Sequence, residues 1–121
     1  MVKLVFCVRR LPHLSREEFQ TYWRERHAPL VREAAATLAI RRYVQVHTLD
    51  SPLNERLRSG RGAPEEYDGV AELWFDSVEA LVAAGGTPDG RAAGRRLAED
   101  ERRFIDLARS PLWLAHDHEV V

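Results

Sequence analysis

Cysteine occurs once, at Cys7. A single thiol closes no internal disulfide, so packing alone must hold the fold, and the reducing cytoplasm is the expected location. No apolar run approaches the roughly 20 residues that cross a bilayer. The apolar start MVKLVFCV is too short for the hydrophobic region of a signal peptide, and no small-residue cleavage site follows it. No membrane partner is therefore expected. Neither sign of charge dominates: 18 lysines and arginines face 19 acidic residues, for a formal net charge of −1. With no basic run interleaved with aromatics, nucleic acid is not an expected partner either. A glycine-rich phosphate loop, a nucleophile elbow and a metalloprotease helix motif are all missing. Nothing repeats at a fixed period.

What is there is one domain's worth of alternating and helical patterns, over 1–121. The 45% hydrophobic fraction suffices for one core. In 2–9 the residues Val2, Leu4, Phe6 and Val8 alternate with Lys3, Val5, Cys7 and Arg9, so a strand with one fully apolar face is expected. Ser15 and Glu18 have the spacing of a capping box, with Leu14 and Phe19 at the two staple positions. From there Phe19, Trp23, His27, Leu30 and Ala34 make one helical stripe. A second strand is expected over 40–48, with Ile40, Val44 and Val46 on one face and Tyr43, Gln45 and His47 on the other. Residues 50–67 carry two prolines, two glycines and seven charges, which predicts a long irregular connection, a lid or mobile segment. A third strand is expected over 68–75. A helix capped by Asp76 should follow, to about Ala84. GGTPDG breaks it, and a helical pattern resumes over 91–108. SPLWLAHDHEVV closes as a fourth strand.

The order β-α-β-β-α-β predicts a ferredoxin-like α+β plait, a four-stranded antiparallel sheet with its helices on one face. The other face would carry Tyr43, Gln45, Glu72, Trp74 and Trp113. Such a face is too aromatic to stay bare, and a second copy of the chain is its simplest cover, with Trp74 and Trp113 as anchors.

The chemistry centres on YWRERHAPLV, 22–31. Pro29 cannot donate to the carbonyl of Glu25, and its ring crowds that carbonyl, so the helix should kink or restart here. His27 stands just before the break, on the inward stripe. It can serve as general acid or base near neutral pH, or it can bond a loose carbonyl and pack. Tyr22, Trp23, Leu30, Tyr43 and Phe75 are the candidate walls of a flat pocket. His116 is a further ligand-binding candidate if a space opens between the helices. His116 and His118 share a face as metal ligands do, but two histidines without a third ligand do not make a centre, and no metal is expected. Glu101 and Asp106 read as salt-bridging residues of a charged helix face, paired with Arg102, Arg103 or a loop arginine. Cys7 reads as a packed strand residue.

The segments EEFQTYWRERHAPLV, RRYVQVH, YDGVAELWFDS and AEDERRFID, in this order, resemble the EthD-like family, named for ethyl tert-butyl ether degradation, within the dimeric α+β barrel superfamily. The resemblance covers nearly the whole chain. It implies a homodimer whose two sheets face each other as a barrel, and pockets between sheet and helices where relatives hold polycyclic aromatics, quinols or haem. Relatives include accessory proteins beside cytochrome P450 systems, polyketide-tailoring decarboxylases or cyclases, and cofactor-free oxygenases. Two functions follow as expectations. One is a cofactor-independent enzyme of the oxygenase, decarboxylase or cyclase type, with His27 as acid or base on an aromatic or polyketide-like molecule. The other is a non-catalytic ligand-binding accessory protein for an oxygenase pathway. No cofactor is expected, with haem the alternative by superfamily analogy.

Overall fold

The computed structural model describes residues 1–121. Its elements are β1 (Val2–Val8), α1 (Arg16–Tyr22), α2 (Ala28–Ala34), β2 (Arg42–His47), α3 (Pro52–Ser59), β3 (Gly69–Phe75), α4 (Val78–Gly86), α5 (Pro88–Glu101) and β4 (Leu112–Ala115). A π-helical turn, Trp23–His27, joins α1 to α2. The four strands form one antiparallel sheet in the order β2-β3-β1-β4, the ferredoxin-like arrangement. No helix is long and apolar enough to cross a membrane.

Local chemistry accounts for most element starts. The Ser15 hydroxyl accepts from the Glu18 N–H at 3.0 Å, and the Glu18 carboxylate accepts from the Ser15 N–H at 2.9 Å. This reciprocal pair satisfies two otherwise orphaned donors. Leu14 and Phe19 then turn into the core, where Phe6, Val8, Trp23, Ala71, Phe104 and Ile105 complete the central cluster. Gly69 is required by this packing: a Cβ there would sit 2.5 Å from the Trp23 ring and 2.7 Å from the Val46 carbonyl oxygen.

The sheet register corrects one sequence expectation. Leu4 lies opposite Leu73, and Leu73 opposite Tyr43; Phe6 lies opposite Ala71, and Ala71 opposite Gln45. Partners across an antiparallel pair share a face. Tyr43, Gln45 and His47 therefore face the helices, and Val44 and Val46 face outward with Val5, Glu72, Trp74 and Trp113. Alternation shows which residues share a face but not which face is covered. The inward polar groups are satisfied there. Gln45 donates to the Trp23 carbonyl at 2.9 Å and to the Tyr43 hydroxyl at 2.9 Å, and the His47 ring stacks on Trp23 at 4.7 Å.

Residues 50–67 also differ from expectation, because they contain α3. Ser51 caps it, accepting from the Leu53 N–H at 3.2 Å, and Pro52 fills the first turn, where a missing N–H costs nothing. The rest of the segment is tied down. Arg58 pairs with Glu66 at 2.8 Å, and Arg9 donates to the Glu65 and Glu66 carbonyls, each at 3.2 Å. After β3, Ser77 rather than Asp76 caps α4, because the Asp76 carboxylate is held by Arg41 at 3.0 Å. Thr87 and Pro88 start α5 inside the stretch read as a break, and α5 ends at Glu101.

Candidate functional site

Pro29 explains the π turn. Without an N–H it leaves the helix ladder, and its ring excludes an ordinary α-turn against the residues before it. The chain widens by one residue per turn instead: the Ala28 N–H donates to the Trp23 carbonyl, five residues back, and α2 restarts with Pro29 in its first turn. Single π turns recur at functional sites because they re-aim side chains without ending the helix. Here both Trp23 and His27 point inward, at 1% and 4% exposure.

His27 is held by a chain of buried polar groups. Its Nδ1 lies 2.8 Å from the Asp100 carboxylate, whose other oxygen accepts from the Tyr22 hydroxyl at 2.7 Å. Phe104 packs on the ring at 5.0 Å. A carboxylate at Nδ1 fixes that nitrogen as the protonated one and leaves Nε2 as the basic atom. No protein group bonds Nε2, and no sealed side-chain atom lacks a partner. Burial pushes the imidazole below its ordinary value and Asp100 opposes it, with burial prevailing. The ring is therefore a neutral base at pH 7.

Beside His27 is a cavity of about 50 Å³ walled by Phe6, Trp23, Val31, Tyr43, Leu97, Glu101 and Ile105, among others. An engineered cavity that takes benzene is about 150 Å³, so this one admits a few heavy atoms and no ring system. A second, mainly apolar groove of about 210 Å³ lies between α2 and the start of β2, lined by Ala28, Val31, Ala35, Ile40 and Tyr43, with Arg32, Arg41 and Arg42 also on it. The two spaces share Val31 and Tyr43 as walls. A larger cleft of about 970 Å³, between α1 and α3, has no apolar lining residue and offers nothing to a flat ring.

The structure thus brings Trp23, His27 and Tyr43 to one cavity and attaches Tyr22 to its polar chain. Three candidates fall elsewhere. Leu30 is half-buried on α2 and lines neither space, because the widened turn gives the inward place to Val31, which is 3% exposed. Phe75 is buried, but opposite Val2 at the end of its strand. His116 is exposed beyond β4, where its Nε2 meets that of His118 at 3.2 Å. No third His, Cys, Asp or Glu joins those two. Haem does not fit either space: even a drug-sized ligand needs on the order of 300 Å³, more than the groove provides. EDERRF resembles a solvated charged face, which hides Asp100 and makes Glu101 read as a salt-bridging residue. Their signal was present: Leu97, Asp100, Glu101 and Phe104 fall at helical spacings of three and four, the stripe that faces a core. The salt bridges expected for Glu101 and Asp106 do not form; Glu101 lines the cavity instead.

Fold and site together define a ferredoxin-like plait with an inward acid–base cluster under its helices. The model of the EthD domain matches residues 11–108, and the chain belongs to the EthD family. Among solved structures, an ethyl tert-butyl ether degradation (EthD) family protein from Bacillus halodurans is 22% identical over 98% of this chain and 99% of its own, with a TM-score of 0.64. A dimeric protein of unknown function with a ferredoxin-like fold, from Bacteroides fragilis, is 12% identical over 96% and 95%, with a TM-score of 0.59. SnoaB, a cofactor-independent oxygenase from Streptomyces nogalater, is 15% identical over 99% and 95%, with a TM-score of 0.57. At these identities the likeness is one of fold. No curated protein matches the chain.

Proposed function

We propose that this protein is a homodimeric, cofactor-independent enzyme that moves a proton on a small aromatic or polyketide-like molecule, with His27 as the base. The observation that carries the reading is the buried Tyr22–Asp100–His27 chain, which ends in a basic nitrogen with no protein partner beside a cavity. The aromatic part of the ligand occupies the groove between α2 and β2. Its reacting end passes Val31 and Tyr43 into the cavity, which is sized for a functional group. Burial keeps His27 neutral, and the Asp100 carboxylate stabilises the imidazolium that forms when the ring takes a proton. The cofactor-independent chemistry of SnoaB on the same fold agrees with this reading.

The accessory-protein reading also has an observation behind it: the groove that suits a ring contains no histidine or carboxylate. The two readings separate on acetophenone, an aromatic ring carrying an enolisable acetyl group small enough for the cavity. Backbone NMR shifts at Val31 and Ile40 report its binding, and mass spectrometry in deuterium oxide reports proton exchange at its α-carbon. The enzyme reading expects binding and exchange by the native protein, and His27→Ala to abolish exchange while binding persists. Binding with no exchange in the native protein establishes the accessory role instead.

The dimer follows from the outer sheet face. Val5, Val44, Val46, Val70, Trp74 and Trp113 form a contiguous surface, with Val46 43% and Trp113 48% exposed. A patch of that composition marks an interface. Lys3 and Arg42 sit over the Trp74 ring at 5.1 and 4.6 Å. Trp74→Glu removes that ring and sets a second carboxylate beside Glu72. Light scattering should then read the 13.9 kDa chain mass instead of twice that value. A monomeric native protein at micromolar concentration would refute the dimer.

A further inference from the structure

Asp100 and Glu101 are consecutive carboxylates at the end of α5, and they are placed for different tasks. Asp100 is spent on His27 and Tyr22. Glu101 forms no ion pair and no side-chain hydrogen bond, and it lies in the cavity wall among Leu97, Ile105, Val31 and Leu73. A carboxyl group in an apolar wall costs stability unless it is protonated or paired. Here it holds no other element in place, so packing gives no reason for it. The space it borders is the one His27 borders.

The geometry points to Glu101 as the proton donor that works opposite His27, on a substrate with a ketone carbonyl next to an acidic C–H bond. This assignment rests on the reading of His27 as the base. In the step, His27 Nε2 removes the proton from the α-carbon. The C–H electron pair becomes the C=C bond of an enol, and the carbonyl oxygen takes the carboxyl proton of Glu101. Imidazolium and carboxylate remain, nothing is oxidised or reduced, and proton return to the same or a conjugated carbon restores both groups.

The environment supports the two protonation states the step needs. Burial pushes Glu101 up to about 7, with Arg102 opposing and Asp100 adding. Burial pushes the Tyr43 hydroxyl, on the facing strand, up to about 12, so it stays uncharged. His27, Tyr43, Asp100 and Arg102 are the charged or titratable groups around Glu101. A base kept neutral and an acid kept protonated in one cavity is the pattern of paired proton transfer.

The test follows deuterium exchange at the α-carbon of acetophenone by the intact protein, from about pH 5 to about pH 9. The rate should rise as His27 loses its proton and fall again around 7 as Glu101 loses its own. Glu101→Gln should slow exchange by roughly 100-fold and remove the alkaline fall, whereas Glu101→Asp should keep the fall and recover part of the rate. Loss of exchange in His27→Ala with Glu101→Gln unchanged in rate and profile overturns the Glu101 assignment alone. Full exchange by His27→Ala overturns the base as well, and no exchange by the native protein overturns the step. If Glu101→Gln does not fold, carbon NMR of the native protein decides: a Glu101 carboxyl titrating near 7 supports the donor, and an ordinary value of about 4.3 refutes it.

Discussion

Asp68→Ala is expected to lower the unfolding free energy by about 3 kcal/mol at pH 7, the low end of what removing one partner of a buried ion pair costs. Asp68 is 3% exposed and joins three parts of the chain. One carboxylate oxygen takes the Arg10 guanidinium at 2.5 Å and the Arg16 guanidinium at 3.0 Å; the other takes the Arg10 backbone N–H at 2.8 Å. The low end applies because the Arg10 side chain is 36% exposed and regains water when the acid is removed. On a domain whose total stability is about 5–15 kcal/mol, the loss should shift Tm by on the order of 10 °C. The sign with pH is fixed by the same contacts. Burial pushes the Asp68 carboxyl up, but the Arg10 backbone N–H and the two guanidiniums outweigh it and hold the group below 3.8. The folded state therefore favours the carboxylate, and the stabilisation is present above 3.8 and lost as pH falls through the folded value. Urea titrations of both proteins should differ fully at neutral pH and converge in acid. A constant difference across that range would show that Asp68 acts through packing alone.

The strands were legible because each alternates with period two and turn residues bound it; β1, β2 and β3 fall within two residues of their expected limits. The Ser15–Glu18 box fixed the start of α1 for an equally local reason. The covered side of β2 was not legible. Tyr43, Gln45 and His47 look outward to any rule that places polar residues in water, yet Gln45 finds two acceptors under the helices and His47 a stacking partner. Trp23, the partner that Gln45 and His47 share, lies more than twenty residues away, where local pattern carries no information. The helix α3 was hidden differently: Ser51 and Pro52 signalled its start, but the charge and glycine around them outweighed the signal.

Half of the site was legible for a comparable reason. His27 stood out because Pro29 follows two residues later and the stripe of Phe19 and Trp23 fixes its side of the helix. Asp100, its partner 73 residues later, did not, because acids and arginines alternate around it. The pocket size was not legible at all. It depends on how closely Val31 and Tyr43 approach between helix and sheet, and that packing is set by the whole core.

Asp100→Asn should leave a folded protein that has lost most of its proton transfer. The Tyr22 hydroxyl can turn to accept from the new amide, whose oxygen still accepts from Nδ1–H of His27, so the ring keeps its tautomer and its position. What disappears is the negative charge. In the native protein burial lowers the pKa of His27 and Asp100 opposes the fall. Without the carboxylate, burial acts unopposed: the imidazole pKa drops further, and the imidazolium formed in the transition state loses its counter-charge. Exchange on acetophenone should fall by on the order of 1,000-fold, within the range that general acid–base catalysis contributes, and its acid limb should move to lower pH. The folded state prefers neutral His27, so its contribution to stability is present above the ordinary value of 6.5 and is lost as pH falls through the folded value. Asp100→Asn should make that acid-side loss larger, with little change at pH 8. NMR titration of the His27 ring carries the decision. A pKa that rises in Asp100→Asn would mean that the carboxylate does not sustain the cation, and that the Tyr22–Asp100–His27 chain only holds α1 against α5.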